Sequence, residues 1–225
     1  MVSLWAAGPP VRVVVFDIDG TLLDSAAGIV AGFQHALRSI GIEPPSEEVL
    51  RSDLGPPVGL HLAALGVDPG SVPEAVDAYR AHYREFGLQR ATAYAGVVEV
   101  LRSLDGTVLL GTATAKRTDT AEAILAVHGL AGYFQVVNGT DELRTTKPDT
   151  IAHTLERLRR QTGQPISPVD VVMVGDRHSD ISGGQACGVR TVGVTWGYGS
   201  RTELVEAAPD ALIDHPGELL TLLGR

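Results

Sequence analysis

Only one of the 225 residues is a cysteine, Cys187, so no internal disulfide can form, and no Cys/His cluster has the spacing of a zinc site. No run approaches the ~18 uninterrupted apolar residues that a membrane span needs. The apolar patch Leu4-Trp5-Ala6-Ala7 near the start has no basic residue before it and is too short for a secretory core. Positive charge is scarce: 18 Lys and Arg face 27 Asp and Glu, which removes the broad field that would attract nucleic acid or anionic lipid. Internal repeats and low-complexity segments are missing as well. These absences predict a cytoplasmic protein without nucleic-acid or membrane partners, in which any bound phosphate is held by local groups; for assembly the expectation is left open between a monomer and a homodimer.

What is present is a regular alternation of elements, in a chain long enough for one packed domain and a smaller accessory one. The run Val11 to Phe16 is apolar apart from Arg12 and rich in valine, the pattern of a central strand buried on both faces. From residue 94 onward, short apolar runs at Thr107 to Leu110, Phe134 to Val137, Val169 to Val174 and Arg190 to Val194 alternate with helical patterns. Those helices are expected at Gly96 to Leu104, Thr118 to His128, Asp149 to Arg160 and Ser179 to Cys187. Alternation of this kind predicts an α/β fold, a doubly wound parallel sheet with helices on both faces. Between the first strand and the second lie helical patterns only, at Ser25 to Ile40, Ser46 to Asp53, Pro57 to Leu65 and Val72 to Phe86, separated by Gly/Pro breakers. The expected organisation is a core of residues 1–22 and 93–225 with an inserted helical cap at 23–92.

Ligands of open parallel sheets bind beyond the carboxyl ends of the strands. Asp17 and Asp19 follow the first strand there, Thr112, Thr114 and Lys116 follow the second, Lys147-Pro148 precedes the fourth, and Gly175-Asp176-Arg177-His178-Ser179-Asp180 ends it. Two acids one residue apart at a buried strand end are costly unless compensated, and Mg²⁺ with oxygen ligands, joined by Asp176, would compensate them. One carboxylate can attack phosphorus to form an aspartyl-phosphate. The other can protonate the leaving alcohol and later deprotonate water. A threonine hydroxyl and the Lys147 ammonium suit the charged oxygens of a transferring phosphoryl group. The backbone N–H groups of Gly20 and Thr21, in a turn, can approach a phosphate closely.

In this order, Asp17-Ile18-Asp19-Gly20-Thr21, Thr114-Ala115-Lys116, Lys147 and Gly175-Asp176 through Asp180 resemble the motifs of the haloacid dehalogenase superfamily of phosphohydrolases, over nearly the whole chain from Val11 to about Leu222. The resemblance implies Asp17 as nucleophile and metal ligand, Asp19 as acid/base that lends its backbone carbonyl to Mg²⁺, and Asp176 as the remaining metal ligand. It implies Thr114, Ala115 and Lys147 at the phosphate, with Thr112 as the alternative hydroxyl, and Asp180 behind Lys147 or a metal-bound water. The inserted helices resemble the type 1 cap of phosphoglycolate phosphatase-like members, with Leu22-Leu23-Asp24-Ser25 and Tyr94-Ala95-Gly96-Val97 as hinges.

The resemblance thus implies hydrolysis of a small phosphorylated metabolite, with phosphoglycolate or a nucleoside monophosphate as substrate. A β-phosphoglucomutase-like phosphotransferase and a silent phosphometabolite sensor are the rival expectations. Arg51, His61 and His82 from the cap, and Arg177 and His178 beside Asp176, are the candidates for substrate specificity. Lys116 is expected to be a solvated charge, and Cys187 a small residue packed on a helix.

Overall fold

The computed structural model describes residues 10–52 and 54–225. The patch Leu4 to Ala7 and Asp53, the expected end of the second cap helix, lie outside the described residues. In chain order the strands are β1 (Val13–Phe16), β2 (Leu23–Asp24), β3 (Thr92–Ala93), β4 (Leu109–Thr112), β5 (Thr114–Arg117), β6 (Gly139–Thr140), β7 (Val171–Gly175), β8 (Arg190–Val194) and β9 (Ala211–Ile213). Five of them form the main sheet in the order β4-β1-β7-β8-β9, and every pairing in it is parallel. The chain divides into two units, one of residues 1–23 and 93–225, the other of residues 24–92. At the two crossings β2 and β3 pair as a short ribbon.

All four residues of β1 are buried, and the strand is flanked by β4 and β7. Side chains alternate between faces along a strand. Accordingly Val13 and Val15, with Val171 and Met173 of β7, pack on Ile151, Leu155 and Leu158 of the helix Lys147–Thr162. Phe16 and Val174 turn the other way, toward Val97, Val100 and Leu101 of the helix Val97–Leu104 and Leu219 of the last helix, Gly217–Leu222. The sheet is covered on both faces, which is why β1 carries no polar residue before Asp17.

Two expectations fail in this unit. The segment Phe134 to Val137 is not a strand; residues Ala131–Tyr133 form a 3₁₀ turn and Val136 makes a single bridge to Gly111. The Gln135 side chain takes the Leu110 N–H at 2.6 Å, so an amide oxygen replaces the carbonyl that a regular ladder would supply. Parallel pairing resumes only where β5 meets β6. Lys147 also stands inside the helix rather than before it, because Thr146 caps that helix by accepting the Asp149 N–H at 3.3 Å and Pro148 fits its first turn.

The helical unit has its own core, in which Phe33 stacks on His61 at 4.3 Å and meets Tyr79 at 4.9 Å. Its helices are Ala26–Ser39, Glu47–Arg51, Val58–Ala64 and Val72–His82, the last continuing as a π-helical turn over Tyr83–Gly87. Burial inside this unit corrects the expectation for His61, which is 3% exposed and belongs to the packing. Arg51 is exposed and paired with Glu47 one turn earlier at 2.8 Å. His82 stacks on His35 at 4.5 Å, and burial together with the His35 charge lowers its pKa.

Candidate active site

The Asp17 N–H donates to the Val174 carbonyl at 2.9 Å, so the β1–β7 ladder runs on to the first acid, and Asp176 follows the neighbouring strand end. Asp180 enters from the first turn of the helix His178–Ala186, where its Oδ2 accepts the Arg177 N–H at 3.0 Å. Asp17, Asp176 and Asp180 are all buried, and each offers a carboxylate oxygen within 4.8 Å of the others. Lys147 lies among them, with Nζ 2.6 Å from Asp180 Oδ1, 3.1 Å from Asp17 Oδ1 and 2.9 Å from the Ala113 carbonyl. An ammonium has three protons, and here each has an acceptor.

Three buried carboxylates share one ammonium, and the imbalance shows in their protonation. Burial first, then the Asp180 and Asp19 charges, raise Asp17 to about 6 against the pull of Lys147 and a hydrogen bond from Thr114. Burial, Asp180 and Asp17 raise Asp176 to about 8, although the Tyr198 N–H at 2.7 Å and the Thr21 hydroxyl at 3.0 Å favour its ionised form. Lys147 is opposed by burial, but Asp17 and Asp180 outweigh it and hold the ammonium above its usual range. A donor set of hard oxygens with surplus negative charge fits a divalent cation such as Mg²⁺.

Around this cluster the remaining candidates fall into place unevenly. Thr112 Oγ1 both donates to the Asn138 carbonyl at 2.9 Å and accepts the Asn138 N–H at 2.8 Å, whereas Thr114 directs its hydroxyl to Asp17. Ala115 follows in β5, its carbonyl accepting from Thr140 Oγ1 at 3.0 Å. The Gly20 N–H is bonded to the Leu23 carbonyl at 2.9 Å, which corrects the expectation that it faces a phosphate. Gly20 instead makes room: at φ +82°, a β-carbon there would stand 2.2 Å from Asp176 Oδ2.

Arg177 and His178, candidates for substrate contact, are held by Glu203. Arg177 Nε donates to Glu203 Oε1 at 2.8 Å, and the His178 N–H and Nδ1 lie 2.9 and 3.0 Å from the same oxygen. Against the effect of burial, these donors bring Glu203 down to about 2. Lys116 also departs from expectation: it is no solvated charge, because its ammonium grips both oxygens of Asp19 at 2.9 and 2.7 Å. Sequence reasoning missed the contacts of Tyr198 and Glu203, and it gave Lys116 and Thr21 other roles: the Thr21 N–H goes to the Ile18 carbonyl at 3.3 Å, and its hydroxyl is what reaches Asp176. Thr21 was the most accessible of them, as a hydroxyl within the Asp-x-Asp-Gly-Thr run.

The family model described as haloacid dehalogenase-like hydrolase matches residues 14–194. Tyrosine-protein kinase PtkA of Mycobacterium tuberculosis is 39% identical over 211 residues, covering 92% of this chain and 70% of that protein. The solved PtkA structure has a TM-score of 0.80, with 97% of this chain and 100% of that chain covered. Pyrophosphatase PpaX of Bacillus pumilus is 31% identical over 217 residues, 95% of this chain and 97% of its own length. A predicted phosphatase of Clostridium acetobutylicum superposes with a TM-score of 0.85 at 32% identity, over 94% of this chain and 97% of the other. With the motifs, the parallel sheet and these matches agreeing, the chain belongs to the haloacid dehalogenase-like hydrolase family.

Proposed function

We propose that this protein is a magnesium-dependent phosphatase that hydrolyses a small phosphate monoester through an aspartyl-phosphate on Asp17. The observation that carries the reading is the buried group Asp17, Asp176 and Asp180 around the Lys147 ammonium. The names of PpaX and of the probable phosphatase IndB of Dickeya dadantii support it. Asp17 and Asp176, with the Asp19 main-chain carbonyl, would hold Mg²⁺. When bound, the cation would neutralise the carboxylates and the charge on the phosphoryl oxygens.

In the first half-reaction a carboxylate oxygen of Asp17 forms a bond to phosphorus while the ester P–O bond breaks, and Asp19 passes a proton to the departing alkoxide oxygen. In the second, Asp19 takes a proton from water, whose oxygen attacks the same phosphorus and releases inorganic phosphate and the Asp17 carboxylate. Lys147 keeps Asp17 ionised and aimed. Asp180 fixes Lys147. Thr114 and the Ala115 N–H are the donors assigned to the phosphoryl oxygens.

Phosphoglycolate and nucleoside monophosphates head the monoester candidates, and the name of PpaX adds pyrophosphate, a phosphoanhydride, to the panel. The test is phosphate release over a panel of these and of sugar phosphates with Mg²⁺, for the wild type and D17N. Release by the wild type that is lost in D17N is expected; no release from any member, or equal release by both proteins, would overturn the reading. Interconversion of sugar phosphates without net release would identify a mutase. PtkA, at 39% identity, motivates a second reading, phosphoryl transfer to a tyrosine. Label from γ-labelled ATP appearing on protein tyrosine, and not as inorganic phosphate, would favour it.

A further inference from the structure

The Asp19 carboxylate, assigned to protonate the leaving group, has both of its oxygens engaged by one ammonium. Lys116 Nζ lies 2.9 Å from Oδ1 and 2.7 Å from Oδ2, and the two side chains are only 10% and 14% exposed. To serve a leaving oxygen, Asp19 has to turn one oxygen away from Lys116. That gives up part of the Lys116–Asp19 ion pair in a nearly dry setting, which is unfavourable unless another anion replaces the lost contact.

The chain holds Lys116 at this place by specific means. The register of β5 against β6 shifts between Thr114 and Arg117, so Lys116 stands in an irregular stretch of the strand. Its N–H is turned to Thr114 Oγ1 at 3.3 Å, and Thr140 Oγ1 ties down the adjacent Ala115 carbonyl at 3.0 Å. Across the pair, β6 approaches so closely that a β-carbon at Gly139 would stand 2.1 Å from the Lys116 carbonyl oxygen. Irregularities of this sort re-aim a side chain beside an active site. Here the side chain so aimed is the partner of Asp19.

We propose that Lys116 selects substrates whose leaving group carries a second anionic group, a carboxylate or a phosphate. On binding such a substrate the ammonium moves part of its pairing from Asp19 to that anion, and the freed Asp19 oxygen meets the leaving oxygen. A neutral leaving group offers Lys116 nothing in exchange, and Asp19 stays clamped. This rests on the phosphatase reading above and adds to it the chemical class of the leaving group.

The test compares kcat/KM in matched pairs for wild type, K116M and K116R: 2-phosphoglycolate against its neutral amide, and 1,2-ethanediol bisphosphate against 2-hydroxyethyl phosphate. In the wild type the anionic member of at least one pair is preferred by about ten-fold or more, and the preference collapses toward unity in K116M and is partly kept in K116R. The pair that shows the preference tells carboxylate from phosphate. No preference in the wild type, or one that survives in K116M, overturns the proposal.

Binding of hydrolysis-resistant analogues with Mg²⁺, measured by calorimetry, separates this inference from the reading beneath it. Phosphonoacetate or methylenediphosphonate is expected to lose about ten-fold more affinity than methylphosphonate on K116M substitution. If that loss appears but nothing is hydrolysed, the phosphatase reading fails and the Lys116 contact stands. If phosphate is released normally and the analogues weaken equally, Lys116 is not the selector.

Discussion

The two units of this protein treat charge in opposite ways. The α/β unit buries Asp17, Asp176, Asp180 and Lys147 side by side at one end of its sheet. The helical unit keeps its ion pairs at the surface, as in Arg51–Glu47 at 2.8 Å and Arg80–Asp77 at 3.7 Å, and the imidazole it does bury, His61, is stacked on Phe33. Surface pairs add little to stability, whereas uncompensated buried charge is expensive. The lesson is that the α/β unit folds around an electrostatic conflict that a cation can relieve, and the helical unit contains nothing comparable among its described residues.

The contrast breaks most sharply under substitution of the buried cluster. D17N should lower phosphate release by at least about 10³-fold, because it replaces the attacking carboxylate by a neutral amide. R51A, which removes an exposed pair from the helical unit, should shift stability by no more than about 0.5 kcal/mol in a denaturant titration. An R51A effect on stability as large as that of a core truncation would erase the distinction.

The second effect is on pH. Asp17 and Asp176 bind protons more tightly folded than unfolded, at about 6 and about 8 against an ordinary 3.8. The native state therefore carries the extra protons above pH 4, and stability falls as pH rises through that interval. In EDTA the melting temperature should drop between pH 5 and pH 8, by an amount on the order of a few kcal/mol in stability. Millimolar Mg²⁺ should flatten the profile, with proton release on binding at pH 7. A profile that is flat without metal would contradict the assignment of surplus charge to this unit.

Smaller effects sharpen the same comparison. G20A is expected to weaken Mg²⁺ binding measured by calorimetry, by about 10-fold or more, since its β-carbon would press on Asp176 Oδ2 from a backbone at φ +82°. E203Q removes a charge held at about 2, and should cost about 1–2 kcal/mol near neutral pH. Its contribution is present above the ordinary glutamate range and is lost as pH falls toward 2. Urea titrations of the two proteins at pH 7 and pH 3 would show the gap closing.

How much of this was legible in the sequence depends on the range of the interaction. The valine run of β1 and the acids that follow it were readable because the strand pattern and the polar step are local. The Thr112–Thr114 ambiguity was not, because it turns on Asn138, which satisfies the Thr112 hydroxyl from 26 residues away. Lys116 was misjudged for the same reason: its partner Asp19 lies 97 residues earlier, and nothing in the intervening sequence announces a bulge between β5 and β6. The missing strand at Phe134 to Val137 hinged on one glutamine side chain displacing a ladder carbonyl. His61 stood among the cap candidates for substrate specificity, yet its ring faces Phe33 inside the helical unit.

The central claim is that Asp17 carries the phosphoryl group during turnover, and its most direct test is to trap that group. Acid quenching of the D19N variant with Mg²⁺ and a good substrate, then borohydride reduction and peptide mass spectrometry, converts an acyl phosphate into a distinctive reduced residue at its position. The account predicts the reduced product at Asp17, dependent on both substrate and Mg²⁺ and absent in the D17N/D19N double variant. An active wild type with no trapped product at Asp17, or with the product at another carboxylate, would contradict it.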